Sequence, residues 1–465
     1  MNTKHAIFWT IALTTLLAAN FAVSEGNPPR KSSLPQDVTD DPLLNSRLIM
    51  FGDKRLRRKT LKWASFNKRT DMIAPLITTL RYLGPQQRPE VVAALQKITR
   101  KRIGDDWFKW MQWQQANPQL QPFDGYDVYL TALLSSLDRR FQKFIYPGVS
   151  SRIRLEEVVW GGVLAFDGIP PLDQPQMISA SAATYLSDAE SVFGIVINGD
   201  ARAYPYRFMD WHEMLNDVIG GQPVSLAYCT LCGSGILFDT HQAGGSPIEF
   251  GSSGLLYQSN KLMYDRATNS LWNQFTGEPV IGELADSGQK LNALPLVTTT
   301  WKRWREMNPE TKVMAPGTGF DRPYEPGAAY GDYFRSGKLM FPTLTDDRSL
   351  PQKAEVFGLR MSGANKAWPL KRFRGGKVIN DQVGAIPVVL IGDSKSRQVR
   401  AYRRDQNQFE KANKLLTEIK SGDATWRVTE DALHGPAGEQ LTRLPGHLAF
   451  WFAWHNYLGG QTLAD

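Results

Sequence analysis

An internal repeat is the feature of this sequence that most constrains its fold. Residues 191–239 align with residues 355–403 without a gap, at a constant shift of 164 positions. The residues that recur are glycine, proline and apolar residues, among them Val192-Phe193-Gly194 against Val356-Phe357-Gly358 and Pro223-Val224 against Pro387-Val388. Further on, Leu294-Pro295 recurs as Leu444-Pro445 at a shift of 150. Such residues are typical fold requirements. The sequence therefore predicts the same β-rich domain twice in tandem.

The positions at which the two segments differ include residue types that are common in functional sites. The first segment carries His212, Glu213, Cys229 and Cys232 where the second has Gly376, Lys377, Asp393 and Ser396. Because the second segment lacks all four residues, the fold does not require them. They are therefore candidates for a functional site in the first domain.

The two cysteines lie in the stretch Tyr228–Gly235, YCTLCGSG, between two apolar runs. A C-x-x-C-G turn between strands is typical of a metal knuckle, in which two thiolates point to one side. Two sulfurs form half of a tetrahedral site, and His212 is the candidate for a third ligand. Thiolates with imidazole suit copper or zinc. A site of Cys229, Cys232 and His212 with an open fourth position would be reactive.

Three further residues are candidates for catalytic roles around this centre. Glu213, next to His212, would be a general base or a group that supports the ligands. Tyr204 and Asp265 would line the pocket. The sequence leaves open whether the protein is an enzyme, and its substrate would be an unidentified small molecule.

Thiol–disulfide exchange is the alternative chemistry for a C-x-x-C pair, and a purely structural disulfide is the simplest explanation. The usual redox motif begins a helix, whereas Gly233-Ser234-Gly235 leads into a strand-like run. With only two cysteines in 465 residues, the chain is not a disulfide-stapled scaffold. The function classes are therefore a metal carrier or metalloenzyme, a thiol oxidoreductase, or a non-catalytic module that binds an envelope protein or polymer.

Residues 1–24 have the pattern of a secretory signal. Lys4 precedes an uncharged run from Ala6 to Ser24, with small residues at Ala22 and Ser24 before Glu25. An uncleaved anchor is the alternative, since the run is close to the lower limit of about 17–20 residues for a membrane span. The sequence predicts a periplasmic or secreted protein.

Residues 25–150 are predicted to form a helical domain. Asp71–Leu83 and Pro89–Ile98 have helical apolar spacing and are separated by Gly84-Pro85. Two short helices joined in this way resemble an α-solenoid unit. The α+β chain would continue with a first β-rich domain over residues 151–345 and a second, which lacks the site, over residues 346–465.

The net charge of +8 is concentrated in the helical domain. Residues 25–150 hold 21 Lys and Arg against 12 Asp and Glu, while the residues after 150 sum to −2. The main basic clusters are Lys54–Lys59 and Arg100–Arg102. They form a solvated face or contact an anionic membrane surface or an envelope polymer. An exported protein rarely meets nucleic acid, so nucleic acid is not expected as a partner.

The first β-rich domain offers several local predictions. The Asn198-Gly199 pair between Val192–Ile197 and Ala201–Tyr206 predicts a β-hairpin. Met209–Asp217 suits a short helix. Strands are predicted on both sides of the cysteine turn, at Val224–Tyr228 and Ile236–Phe238.

Several of these motifs occur together in one known family. They are Trp160-Gly161-Gly162-Val163, Asp167-Gly168-Ile169-Pro170-Pro171-Leu172, Arg202-Ala203-Tyr204-Pro205, Trp211-His212-Glu213, Asn216-Asp217, the Tyr228–Gly235 stretch and Tyr264-Asp265-Arg266. The combination resembles an exported bacterial and archaeal family catalogued as a domain of unknown function, number three-one-seven-nine. The resemblance covers residues 155–345 well and the second copy more weakly. It supports the domain boundaries and implies no activity.

Overall fold

The computed structural model describes residues 34 and 36–464, apart from 243–244, 344–346, 362 and 459–461. The predicted signal at residues 1–24 lies outside these residues. Among the helices of the described part, none combines the length and apolarity needed to cross a membrane. A helical region occupies residues 42–143 and a β-rich region follows it, as the sequence predicts.

Several helices of the helical region begin at an aspartate that caps them. The helices are α1 (Pro42–Phe51), α2 (Lys54–Phe66), α3 (Ile73–Tyr82), α4 (Arg88–Thr99), α5 (Trp107–Gln115) and α6 (Tyr126–Leu137). The side chain of Asp53 accepts a hydrogen bond from Leu56 N at 2.8 Å and caps α2, and Asp106 caps α5 in the same way. The predicted helix at Asp71–Leu83 starts two residues late as α3, because Thr70–Met72 forms a 3₁₀ turn.

The helical region shares its hydrophobic core with a β-sheet. Buried residues of α3 and α6, such as Leu76 and Leu130, belong to the same apolar cluster as Val158, Leu255 and Leu262 of the sheet. The helices and this sheet therefore bury each other's apolar surface.

The first β-rich region contains three five-stranded sheets. Its elements are β1 (Val158–Trp160), β2 (Leu172–Asp173), β3 (Met177–Ser179), β4 (Ser191–Ile197), β5 (Asp200–Pro205), α7 (Tyr206–His212), β6 (Met214–Ile219), β7 (Gln222–Cys229), β8 (Ser234–Asp239), β9 (Phe250–Tyr257), β10 (Asn260–Asp265), β11 (Leu271–Asn273), β12 (Glu278–Ile281), β13 (Ala293–Leu294), β14 (Val297–Thr300), α8 (Trp301–Met307) and β15 (Lys312–Met314). The sheet orders are β1-β9-β10-β11-β12, β13-β8-β7-β6-β2 and β14-β4-β5-β15-β3.

Two local predictions in this region have opposite outcomes. Asn198 and Gly199 adopt φ angles of 49° and 80° and join β4 to β5, so the predicted hairpin is confirmed. The single helix predicted over Met209–Asp217 is wrong. Helix α7 ends at His212, Glu213 takes a φ of 57°, and strand pairing of Met214 with Ala227 then overrides the local helical pattern.

The second β-rich region follows a short helix, α9 (Gly331–Arg335). Its elements are β16 (Glu355–Met361), β17 (Ala364–Pro369), β18 (Lys377–Val383), β19 (Ile386–Asp393), β20 (Gln398–Arg403), β21 (Glu410–Lys411), β22 (Glu418–Ser421), β23 (Ala424–Val428), β24 (Ala432–His434), β25 (Gln440–Leu444), β26 (His447–Phe450), α10 (Trp451–Leu458) and β27 (Thr462–Leu463). They form a four-stranded sheet, β26-β16-β17-β27, and an eight-stranded sheet, β18-β19-β20-β25-β24-β23-β22-β21.

Strand registers recur at the shifts seen in the sequence. Val297 pairs with Gly194 in the first region, and His447 pairs with Gly358 in the second. A tryptophan ring lies on each glycine: Trp304 on Gly194 and Trp454 on Gly358. A glycine is needed at each position because a β-carbon would overlap the ring.

Gly358→Ala is therefore expected to lower the free energy of unfolding by about 1–3 kcal/mol, since the added methyl group overlaps the buried ring of Trp454. Urea denaturation measures the change. Gly337→Ala is the matched control, because no atom lies within 4 Å of the β-carbon that it adds. Equal stability of the two variants would contradict the packing argument.

A buried ion cluster joins the two β-rich regions. The Glu430 carboxylate contacts the guanidinium groups of Arg400 and Arg443, and Arg443 also donates to the carbonyl oxygen of Leu296 at 3.0 Å. Burial favours the neutral acid, but the two arginines outweigh it and lower the pKa of Glu430 from 4.5 to about 2.

Because the folded-state pKa of Glu430 lies below its unfolded-state value, its contribution is present above about pH 4.5 and is lost as the pH falls toward 2. The shift corresponds to roughly 3 kcal/mol. Urea denaturation of the wild type and of Glu430→Gln at pH 6 and pH 3 tests this. The stability difference between the two proteins should shrink at the lower pH; a constant difference would contradict the assignment.

Candidate functional site

The cysteine turn connects β7 to β8. Cys229 ends β7 and pairs with Ser234 at the start of β8. Between them, Cys232 N donates to the carbonyl oxygen of Cys229 at 3.1 Å, and Gly233 takes a φ of 59°. This tight turn places the sulfur atoms of Cys229 and Cys232 2.9 Å apart. Both residues are buried, and both are free thiols.

The two thiols have different surroundings. Burial opposes ionisation of Cys229, but hydrogen bonds from the Cys232 thiol and from the backbone N–H groups of Lys261 and Cys232 outweigh it and lower the pKa of Cys229. Burial and the adjacent Cys229 sulfur raise the pKa of Cys232 well above its ordinary value. The side-chain amide of Asn260 donates to the Cys232 sulfur at 3.2 Å. Cys229 is therefore the thiol that ionises first.

A buried ion pair lies beside the turn. The Glu213 carboxylate is 3.2 Å from Lys261 Nζ, and both side chains are less than a tenth exposed. The same carboxylate accepts hydrogen bonds from the Thr230 hydroxyl at 2.9 Å and from Tyr330 at 3.2 Å. Thr230 belongs to the cysteine turn, so Glu213 is bonded directly to the loop that carries both thiols.

His212 has both ring nitrogens engaged. Nδ1 lies 2.8 Å from the carbonyl oxygen of Pro170 and donates to it, so Nε2 accepts the hydroxyl of Tyr324 at 2.6 Å. Burial, partly offset by the Pro170 hydrogen bond, lowers the pKa of His212 and favours the neutral ring. In the parts of the chain that the structure describes, no group of three or more His, Cys, Asp or Glu side chains is arranged to hold a metal ion.

The two predicted pocket residues have structural hydrogen bonds. The Tyr204 hydroxyl donates to Asp217 at 2.6 Å, and both side chains are buried. Asp265 accepts from the indole nitrogen of Trp272 at 2.9 Å and from Thr268. Of the six predicted site residues, the structure thus brings Cys229 and Cys232 into contact and sets Glu213 against their turn.

Three residues of this cluster were not predicted from the sequence. Asn260 and Lys261 begin β10 and are buried there, but in the sequence they are only two polar residues ahead of an apolar pair. Tyr330 approaches Glu213 across 117 positions, a separation at which no local pattern signals the contact.

One family matches the chain. The model described as "Protein of unknown function (DUF3179)" matches residues 166–461. The chain belongs to this family. The DUF3179 match spans the cysteine site and most of both β-rich regions, so the resemblance stated from the motifs is confirmed at the level of the family. No curated protein and no solved structure is similar enough to count as a match.

Proposed function

We propose that this DUF3179 protein is a thiol–disulfide oxidoreductase whose reactive pair is Cys229 and Cys232. The observation that carries the proposal is the distance of 2.9 Å between the two sulfur atoms. A disulfide requires about 2.05 Å. A shift of less than about 1 Å would therefore interconvert the dithiol and the disulfide.

The different pKa directions of the two thiols assign their roles. The Cys229 thiolate, formed by loss of its proton to solvent, would attack one sulfur of a partner disulfide and release the other partner sulfur as a thiolate. Cys232 would then lose its proton and attack the Cys229 sulfur of the mixed disulfide. That step closes the Cys229–Cys232 bond and releases the second partner thiolate. The partner disulfide is reduced by two electrons and the cysteine pair is oxidised; the reverse sequence oxidises a partner dithiol.

A redox titration tests this function. The purified protein is equilibrated in glutathione buffers of varied potential and quenched with a maleimide, and the free thiols are counted by mass spectrometry. We expect a single two-electron transition in which both cysteines change together. Two free thiols throughout the range, with the protein folded, would contradict the proposal.

Metal binding is the second candidate, supported by two adjacent thiols and by the backbone N–H groups of Cys232 and Lys261 that hydrogen-bond to the Cys229 sulfur. Thiolates select copper(I) or zinc. His212 is not grouped with the two thiols in the described structure, so it would have to release Tyr324 and move to become a third ligand. Metal analysis of the wild type, Cys229→Ser and His212→Ala separates the candidates. Equal metal content in all three proteins would remove this candidate, and loss in both variants would support it.

An exported location would supply the oxidants that a cysteine pair needs. The proposal therefore places the protein in the periplasm or outside the cell, as the signal pattern at residues 1–24 predicts. We also infer, from the recurring registers and the paired tryptophan–glycine contacts, that the two β-rich regions are copies of one ancestral domain.

Helix α2 supports a proposed contact with an anionic membrane surface. Arg55, Lys59, Lys62 and Phe66 recur at helical spacing on its outer side, opposite its buried face, and Phe66 is 88% exposed. Cations around an exposed aromatic ring suit a bilayer with anionic headgroups.

Co-sedimentation with phosphatidylglycerol vesicles tests the contact, and phosphatidylcholine vesicles are the control. We expect binding to the anionic vesicles alone, weakened by salt and by Phe66→Ser. Binding to a soluble anionic polymer, with none to vesicles, would replace the membrane by an envelope polymer as the partner.

A further inference from the structure

Three tyrosines from one segment hold different parts of the cysteine site. We call residues 318–336, between β15 and β16, the tyrosine strap. Tyr324 donates to His212 at 2.6 Å, Tyr330 donates to the Glu213 carboxylate at 3.2 Å, and Tyr333 donates to the carbonyl oxygen of Leu231 at 2.8 Å. Leu231 lies inside the C-x-x-C turn. The strap therefore contacts the end of α7, the adjacent Glu213 and the turn itself.

The inner side of the strap covers the cysteines. Tyr333 belongs to the same buried apolar cluster as Cys229, Leu231 and Cys232. Lys353, in the segment between the strap and β16, lies over the Tyr333 ring, with its nitrogen 3.1 Å from the ring centroid. The same nitrogen donates to the Tyr333 carbonyl oxygen at 2.6 Å. With the strap in place, Cys229 is 2% and Cys232 0% exposed.

The outer side of the strap is open to solvent. Residues 321–323 and 325–327 are exposed, and the described backbone of the strap contains one short helix, α9, and no strand. Its attachment therefore depends on side-chain contacts and on a few backbone bonds rather than on a sheet ladder. Segments held in this way open at a lower free-energy cost than the paired strands beneath them.

We propose that the tyrosine strap gates access to the thiols of Cys229 and Cys232. In the closed form described here, no partner disulfide can reach either sulfur, and release of the tyrosine hydroxyls lets the strap lift from the turn. The gate deepens the proposed function, because thiol exchange with a partner then requires opening. Thiol accessibility is nevertheless measurable whether or not the pair is redox-active.

The rate of alkylation of the reduced native protein by iodoacetamide tests the gate. We compare the wild type with Tyr330→Phe, Tyr333→Phe and the double variant, which keep the rings and remove only hydroxyls. Each lost hydrogen bond should raise the population of the open strap, and so the alkylation rate, by roughly fivefold. Tyr402→Phe is the matched control, since it removes a buried hydroxyl bonded to the Thr429 carbonyl oxygen in the second β-rich region.

Equal rates in the strap variants and the wild type would overturn the proposal, as would an equal increase in Tyr402→Phe. Hydrogen exchange of wild-type strap amides is the second measurement and needs no variant. The strap should exchange faster than β7 and β8, and exchange at the slow rate of those strands would also overturn it. If the redox titration shows no transition but alkylation depends on the strap, the oxidoreductase function is contradicted and the gate is supported. If the titration shows the transition but alkylation is the same in all variants, the function is supported and the gate is contradicted.

Discussion

The Cys229→Ser variant will lose thiol–disulfide exchange completely, whereas Cys232→Ser will accumulate a mixed disulfide with its partner. In the proposed reaction, Cys229, the thiol with the lowered pKa, makes the first bond, and Cys232 resolves it from 2.9 Å away. Incubation with a disulfide-bonded reporter peptide, followed by mass spectrometry without reductant, measures both outcomes.

The second β-rich region supplies the matched control for this experiment. Ser396 occupies the position equivalent to Cys232, and its hydroxyl bonds Asp393 at 2.9 Å across a similar turn. Ser396→Ala should exchange disulfides at the wild-type rate. A mixed disulfide that accumulates in Cys229→Ser rather than in Cys232→Ser would reverse the assigned roles.

The Lys261→Met variant is expected to lose about 3–5 kcal/mol of unfolding free energy, because it leaves the buried carboxylate of Glu213 without its cation. Adding Glu213→Gln removes the stranded charge, so the double variant should recover a large part of the loss. Urea denaturation of the two single variants and the double variant yields their coupling energy.

An exposed lysine–glutamate ion pair is the control for the Lys261→Met variant. Lys290 and Glu278 lie 2.9 Å apart, and the lysine side chain is 61% exposed. Lys290→Met should cost less than about 1 kcal/mol, because water solvates the remaining carboxylate. If Lys261→Met is equally mild, the Glu213–Lys261 pair does not contribute to stability as its burial implies.

The sequence predicted the elements whose signals are local or repeated. The Asn198-Gly199 hairpin follows from two residues that tolerate positive φ, and the strands around the C-x-x-C turn follow from apolar runs. Comparison of the two segments separated Cys229 and Cys232 from the residues that both segments share. That difference selected the candidate site from the sequence alone.

The surroundings of the thiols could not be predicted, because they depend on distant contacts. His212 and Tyr324 are 112 positions apart, and Tyr330, which contacts Glu213, also belongs to the tyrosine strap. No periodicity links these residues. The boundary between α7 and β6 was also missed, because pairing of β6 with β7, rather than local propensity, begins a strand at Met214.

The helices and the sheet β1-β9-β10-β11-β12 share one hydrophobic core. The boundary of the family match therefore differs from the boundary of the unit that is expected to unfold cooperatively. The DUF3179 match begins at residue 166, after β1, although β1 pairs with β9 and one apolar cluster contains buried residues of both the helical region and this sheet. The family match therefore leaves out part of a unit that we expect to unfold together. We expect the helices and this sheet to melt in one transition, so that the family boundary does not mark a point of autonomous folding.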